Sequence, residues 1–217
     1  MKISVCGKGG SGKSTIVSLL AERLAAAEKE VLKDMMLSDF THQFFEGQWK
    51  LDDIPEGYYT EKNGIKLMVS GKIHQANEGC ACAMGTVMKQ FVSSLALEEN
   101  QIAILDMEAG IEHFGRGLDD EVDVILMVCD PSYESVQLAA KIRELGEKLQ
   151  KPVYYVLNKT DEMSRVVMTQ AIRDPERILT ILPAAPELTA AALLGQKLVL
   201  ESSVLDQAAK KICGMQA

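Results

Sequence analysis

The chain has 217 residues and a net charge of −8, with 47% hydrophobic and 5% aromatic residues. This length fits one domain, residues 1–217, and the aliphatic composition favours helices layered on a parallel sheet over an all-β sandwich. The acidic balance disfavours a nucleic-acid partner, because a phosphate backbone attracts a basic surface. No apolar run reaches the roughly 18 residues of a membrane span and no leader pattern opens the chain, so we expect a cytoplasmic protein with no membrane partner.

A glycine-rich stretch follows the apolar run 3–6 at the start of the chain and reads Gly7-Lys8-Gly9-Gly10-Ser11-Gly12-Lys13-Ser14-Thr15. Gly7 and Gly12-Lys13-Ser14 have the spacing of a phosphate-binding loop, in which backbone N–H groups surround phosphate oxygens. Lys13 would neutralise the outer phosphates and the Ser14 hydroxyl would bind Mg²⁺, while the helix that follows adds its positive end. The sequence therefore predicts ATP or ADP with Mg²⁺, bound by residues from Gly9 to Thr15. A glycine-rich turn without a ligand is the structural alternative.

Lys8 narrows the class of phosphate-binding loop. With this early lysine the loop resembles the deviant subclass that includes the septum-site and partition ATPases, the nitrogenase iron protein and metal-cluster carriers. The resemblance implies a SIMIBI-type P-loop NTPase fold, an α/β architecture with a mainly parallel sheet flanked by helices. It also implies an ATP-dependent homodimer in which Lys8 reaches the partner's nucleotide and acts with Lys13 in catalysis. A solvated loop lysine is the alternative for Lys8.

Residues 31 to 50 depart from that subclass. Val31-Leu32 begins like a strand, but the aspartate-rich turn that ends this strand in the related ATPases is absent. Asp34 or Asp39 could replace it, or the segment is shortened, or a stretch of chain is skipped. Residues 40–64 are interpreted as a surface excursion of unknown role, and residues 65–69 as a strand.

Five cysteines occur in the chain. Cys6 and Cys129 lie in apolar strand runs and are expected in the core, whereas Cys213 lies near the C-terminus and indicates no particular role. Cys80 and Cys82 come just before a helical apolar face formed by Met84, Val87, Met88, Phe91, Val92 and Leu95. A loop entering a helix favours the thiolate, which suits metal ligation. Two thiolates are half of a tetrahedral site, so a two-fold dimer would complete a four-thiolate site for Ni²⁺, Zn²⁺ or an iron–sulfur cluster.

Two further strand ends carry candidate nucleotide ligands. Asp106 ends the buried strand 101–106, in the position of a carboxylate that organises Mg²⁺ together with Ser14. Glycines in 110–117 permit a mobile loop near the γ-phosphate. Asn158 and Lys159 follow the strand 152–157 and resemble the base-recognition turn of P-loop nucleotidases, since an amide can both donate to and accept from an adenine edge.

The sequence around Cys80 and Cys82 resembles the CooC family of carbon monoxide dehydrogenase accessory ATPases. A second stretch that carries this resemblance is Asp106-Met107-Glu108-Ala109-Gly110-Ile111-Glu112-His113-Phe114-Gly115-Arg116-Gly117. The resemblance covers nearly the whole chain apart from residues 31–50. It implies ATP-driven dimerisation, nickel at Cys80 and Cys82, and carbon monoxide dehydrogenase as the client. The missing acidic turn bears on hydrolysis more than on nucleotide binding.

Two other functions remain open at this stage. An iron–sulfur carrier or ATP-driven electron donor would hold a [4Fe–4S] cluster on the same four thiolates. A partition or positioning ATPase would work through polymer or surface binding and would not need the cysteines. His74 and His113 lie near these motifs and are left outside the predicted site.

Overall fold

The sheet explains how distant motifs come together. The computed structural model describes residues 1–27, 30–34, 45–69, 82–115, 117–200 and 203–215. An eight-stranded sheet has the order β3-β4-β2-β5-β1-β6-β7-β8. Its strands are β1 (Lys2–Cys6), β2 (Glu30–Asp34), β3 (Tyr59–Lys62), β4 (Ile65–Met68), β5 (Gln101–Asp106), β6 (Val124–Cys129), β7 (Val153–Thr160) and β8 (Ile178–Pro183). Only β3 runs antiparallel to its neighbour among the strand pairs of this sheet.

Helices lie in most of the connections between parallel strands, as is usual for crossover connections. They are α1 (Lys13–Ala26), α2 (Cys82–Ser94), α3 (Glu112–Gly115), α4 (Tyr133–Leu149), α5 (Glu162–Ala171), α6 (Pro186–Leu193) and α7 (Ser203–Gly214). In the described part of the chain, no helix is long and apolar enough to cross a membrane.

Apolar side chains fill two layers, one on each face of the sheet. One layer joins α1 and α7 to β1 and β5 through residues such as Leu20, Ile104 and Leu205. The other joins α2 and α4 to the opposite face through residues such as Phe91, Leu105 and Ile142. Successive strand residues therefore alternate between two buried faces, which explains the continuous apolar runs of β1, β5 and β6.

The predicted fold class is confirmed, with a mainly parallel sheet flanked by helices. Cys6 and Cys129 are buried in the core as expected, and burial raises the pKa of the Cys129 thiol to about 12. The predicted apolar face of α2 is buried at Met88, Phe91, Val92 and Leu95.

Two elements differ from the sequence prediction. Within the surface excursion 40–64, residues 59–62 form β3, which pairs with β4, and Leu51 and Ile54 are buried. Helix α5 lies in a stretch to which the sequence prediction assigns no element; it packs Met168 into the core, whereas Met163, Val166 and Val167 are mostly exposed.

Candidate nucleotide-binding site

The phosphate-binding loop lies between the end of β1 and the start of α1. Gly12 precedes α1 with a φ of 97°, in the left-handed region that favours glycine. A Cβ atom at this position would lie 2.4 Å from Asn158 Nδ2. Both constraints explain why glycine is required there. Because Gly12 contributes no capping side chain, the first N–H groups of α1 remain available to an anion.

The Lys13 side chain folds over the loop. Its Nζ atom donates a hydrogen bond to the Lys8 carbonyl oxygen at 3.1 Å, and the residue is 9% exposed. Burial lowers the pKa of Lys13, partly offset by the negative charge of Asp106 and by Cys6. A buried ammonium beside a loop of N–H groups suits a phosphate ligand, which would restore the charge balance of the lysine.

Asp106 is brought to the loop by strand pairing. It ends β5 and is in register with Val5 of β1, two residues before Gly7, where the loop starts. Beyond it, the Gly110 N–H donates to the Gly7 carbonyl oxygen at 3.2 Å, so the following segment also lies against the loop. Ser14 is exposed in the first turn of α1. The hydroxyl of Ser14 and the carboxylate of Asp106 are oxygen donors of the kind that Mg²⁺ prefers, and the donor set therefore fits this ion.

Asn158 and Lys159 also meet the loop, although both belong to β7 rather than to a turn after it. Asn158 Nδ2 donates to the Ser11 carbonyl oxygen at 2.9 Å, and Lys159 Nζ donates to the Gly10 carbonyl oxygen at 2.8 Å. Asn158 is buried. In this structure the pair therefore braces the phosphate-binding loop, a contact that the sequence did not indicate. Their predicted contact with a base stays a prediction.

A cavity of about 880 Å³ opens between the loop and the segment that links β8 to α6. Its size is in the range of small-molecule sites. The wall opposite the loop was not predicted and is formed by Leu182, Pro183, Ala184, Ala185, Pro186, Leu188 and Thr189. The sequence indicates this wall only through Pro183 and Pro186, which follow the predicted strand 178–182. The carboxyl end of that strand lies at the same edge of the sheet as the loop.

Lys8 is held within its own chain. Its Nζ atom lies 3.3 Å from Asp130 Oδ2 and 3.9 Å from Glu134 Oε2. Burial acts to raise the pKa of Asp130, but hydrogen bonds from Ser132 and Lys8 outweigh it and leave the pKa below its ordinary value. The action of Lys8 on a partner's nucleotide stays a prediction.

The predicted metal pair is placed only in part. α2 begins at Cys82, so this cysteine lies at the start of a helix. Cys80 lies outside the described residues, as does Asp39. No group of three His, Cys, Asp or Glu side chains able to hold a metal ion occurs among the residues that are described. That finding leaves a site that includes Cys80 untested.

Comparisons with known proteins agree with this geometry. No family model matches the chain. The uncharacterised ATP-binding protein MJ0084 of Methanocaldococcus jannaschii is 36% identical, with 94% of this chain and 96% of the relative covered. The alignment spans 239 positions, more than the 217 residues of this chain, so the relative carries residues that have no counterpart here.

Two other proteins extend the comparison. The carbon monoxide dehydrogenase accessory protein CooC of Rhodospirillum rubrum is 32% identical over 73% of this chain and 74% of its own length. The septum site-determining protein MinD of Pyrococcus horikoshii, solved with Mg-ADP, superposes with a TM-score of 0.73 at 17% identity, covering 100% of this chain and 98% of that one. At this identity the MinD structure supports the fold alone. By its sequence the chain belongs to the family of ATP-binding proteins that includes MJ0084, and it has the fold of MinD.

Proposed function

We propose that this chain is an ATPase that dimerises when it binds ATP, carries nickel on Cys80 and Cys82 of two copies, and serves the maturation of carbon monoxide dehydrogenase. The observation that carries the proposal is the relative CooC, which is 32% identical and is named as an accessory protein of that dehydrogenase. The cysteine pair in the sequence supports the metal-binding part of the proposal, and the phosphate-binding loop supports the nucleotide-binding part.

The position of α2 supports a connection between nucleotide and metal. This helix begins at Cys82, and its residues Phe91 and Val92 share a buried cluster with Met107 and Leu118. Met107 directly follows Asp106, the expected magnesium ligand. A displacement of the segment after Asp106 therefore acts on the packing of the helix that carries Cys82.

Catalysis in such a site depends on positioning and charge stabilisation. Lys13 and the loop N–H groups would bind the phosphates, and Ser14 and Asp106 would hold Mg²⁺, which neutralises charge on the phosphates. Lys8 of one copy would stabilise the nucleotide of the other. Two copies would then present four thiolates to a nickel ion, the cargo of the protein.

The test is metal content and oligomeric state, measured on anaerobically purified chain with ADP and with a non-hydrolysable ATP analogue. We expect about one nickel ion per two chains and a nickel affinity that changes with the nucleotide. Cys80→Ala and Cys82→Ala should each abolish nickel binding, whereas Cys213→Ala, a control outside the pair, should leave it unchanged.

One outcome would overturn the proposed coupling, and another would overturn the proposed metal. Equal nickel affinity with ADP and with the ATP analogue would remove the coupling of nucleotide to metal. A brown protein with four irons per dimer would replace nickel by a [4Fe–4S] cluster, because four thiolates suit that cluster equally well.

A further inference from the structure

A cluster of buried polar side chains lies beneath the phosphate-binding loop, apart from every residue assigned to the nucleotide. Ser4 and Asp119 are 0% exposed and His113 is 2% exposed. Ser4 Oγ donates to Asp119 Oδ1 at 3.0 Å, and His113 Nε2 lies 3.7 Å from Asp119 Oδ2. Ser4 belongs to β1, three residues before Gly7, so the cluster is anchored to the strand that carries the loop.

The segment that follows Asp106 is attached to β1 near both of its ends. At its beginning, the Met107 N–H donates to the Val5 carbonyl oxygen at 3.1 Å, and the Gly110 N–H donates to the Gly7 carbonyl oxygen at 3.2 Å. At its far end, Asp119 accepts from Ser4. His113 lies between these attachments, in the short helix α3, and its Nε2 atom approaches Asp119 Oδ2 to 3.7 Å.

Stability alone does not explain a carboxyl group at this depth. Burial raises the pKa of Asp119 to about 7, against the lowering effect of its hydrogen bonds, and the nearby charge of Asp120 adds to the increase. Buried polar groups of this kind can often be replaced by apolar residues at no cost in stability, whereas in some proteins they fix one arrangement among several. The cluster is therefore best explained by the position that it imposes on α3.

We propose that His113 is a positioning residue of the nucleotide site, which acts through Asp119 and Ser4 to hold the segment from Met107 to α3 against the strand beneath the phosphate-binding loop. The inference rests on the proposed ATPase function. His113 does not touch the nucleotide itself.

The consequence for the site follows from the contacts of that segment with the loop. Ala109 lies beside Gly9, since a Cβ atom built at Gly9 would be 3.8 Å from the Ala109 Cβ atom. If α3 is no longer held, Ala109 and Gly110 lose their fixed distance from the loop, where the γ-phosphate is expected. Turnover should then change more than the affinity for ADP, which has no γ-phosphate.

The test compares His113→Leu, which removes the polar contact, with His113→Gln, which retains a polar group toward Asp119. We expect His113→Leu to lower kcat about fivefold or more while KM stays within about twofold, and His113→Gln to recover most of kcat. Phe114→Leu is the matched packing control, because the Phe114 ring lies 4.7 Å from the His113 ring and belongs to the same helix. It should lower kcat less than His113→Leu does, because leucine keeps an apolar side chain against the core that Phe114 packs on.

Amide hydrogen exchange of residues 107–115 provides a second measurement that does not depend on activity. In the full chain with ADP, His113→Leu should speed exchange in this segment about tenfold relative to wild type, and Phe114→Leu should not. If wild type hydrolyses no ATP, the proposed function fails and the exchange measurement still decides this inference. Unchanged exchange in folded His113→Leu, or equal loss of kcat in His113→Leu and His113→Gln, overturns it.

Discussion

Lys8 Nζ lies 3.3 Å from Asp130 Oδ2 in a single copy of the chain, so the lysine expected to reach a partner's nucleotide is bound by its own chain. The lysine and aspartate side chains are 29% and 14% exposed, and the pair is therefore only partly screened by water. Parallel pairing of β1 with β6 brings them together, since Lys8 follows one strand and Asp130 the other. A dimer in which Lys8 reached the partner's nucleotide would therefore have to break this ion pair.

The first prediction is that Asp130→Asn favours the dimer. Removing the carboxylate charge releases Lys8, and because a partly exposed ion pair contributes about 1 kcal/mol or less, the ATP concentration for half-maximal dimerisation should fall up to about fivefold. Sedimentation velocity across an ATP titration measures this shift. Lys8→Ala should prevent ATP-dependent dimerisation.

Glu134→Gln is the control for this prediction. Glu134 is 79% exposed and its carboxylate lies 3.9 Å from Lys8 Nζ, so its loss should change dimerisation little. A dimerisation curve for Asp130→Asn that coincides with wild type would show that the ion pair does not oppose the dimer.

The second prediction concerns the two left-handed glycines of the loop. Gly10 has a φ of 79° and open space where a Cβ atom would stand, whereas Gly12 has a φ of 97° and Asn158 Nδ2 at 2.4 Å from that position. Gly10→Ala should lower the free energy of unfolding by about 1–2 kcal/mol through the backbone alone. Gly12→Ala should lower it further, because the Asn158 amide must leave Ser11 and a hydrogen bond worth about 1 kcal/mol is lost.

Chemical unfolding and ADP titration of both glycine variants measure the difference. Gly12→Ala should also weaken ADP binding more than Gly10→Ala does, since it displaces the start of α1. Equal effects of the two substitutions on stability and affinity would show that the contact with Asn158 is unimportant.

The sequence predicted the parts of the site that are encoded locally. The loop, the helix after it and the strand ending at Asp106 each depend on contiguous residues, and the structure has them where expected. The hydrogen bonds that support the phosphate-binding loop could not be predicted, because Asn158 donates to a carbonyl oxygen 147 positions away in the sequence. That contact exists only through the sheet order, which places β7 beside β6 and near β1.

The missed elements have physical reasons as well. β3 is an edge strand whose residues Thr60, Glu61 and Lys62 are exposed, so it has no apolar alternation to indicate a strand. His113 and Asp119 occur in a segment with several charged residues, and such a segment reads as a solvated loop. Only the fold shows that these two side chains are buried while their neighbour Asp120 is exposed.

The third prediction separates two roles of Asn158. If Asn158 serves only to recognise the base, Asn158→Ala should weaken ATP binding but leave inorganic tripolyphosphate unaffected. Because its Nδ2 atom donates to the loop at Ser11, we expect the substitution to weaken tripolyphosphate binding too, by about fivefold for one lost hydrogen bond. Isothermal titration with both ligands measures this, and unchanged tripolyphosphate affinity would contradict the bracing role.

The last prediction is a dependence of stability on pH that comes from Asp119. Burial raises the pKa of Asp119 from an ordinary value of 3.8 to about 7. Between pH 3.8 and about 7 the folded state keeps a proton on Asp119 that the unfolded state has lost. The protonated carboxyl group therefore contributes fully to the free energy of unfolding below pH 3.8, and this contribution is lost as the pH rises to about 7. Relative to Asp119→Asn, which does not titrate, the free energy of unfolding of wild type should fall by at most about 1.4 kcal/mol per pH unit.

Urea unfolding of both proteins from pH 4.5 to 8 measures that difference. It should level off above pH 7, where the carboxyl group is ionised in both states, as the pKa of about 7 requires. His113 and Cys6 face the same carboxyl group, and a protonated His113 would reduce the slope by stabilising the carboxylate. The His113→Gln background removes the imidazole, so the pH dependence measured there contains no contribution from that side chain. A difference that stays constant from pH 4.5 to 8 in that background would mean that Asp119 is ionised throughout in the folded chain.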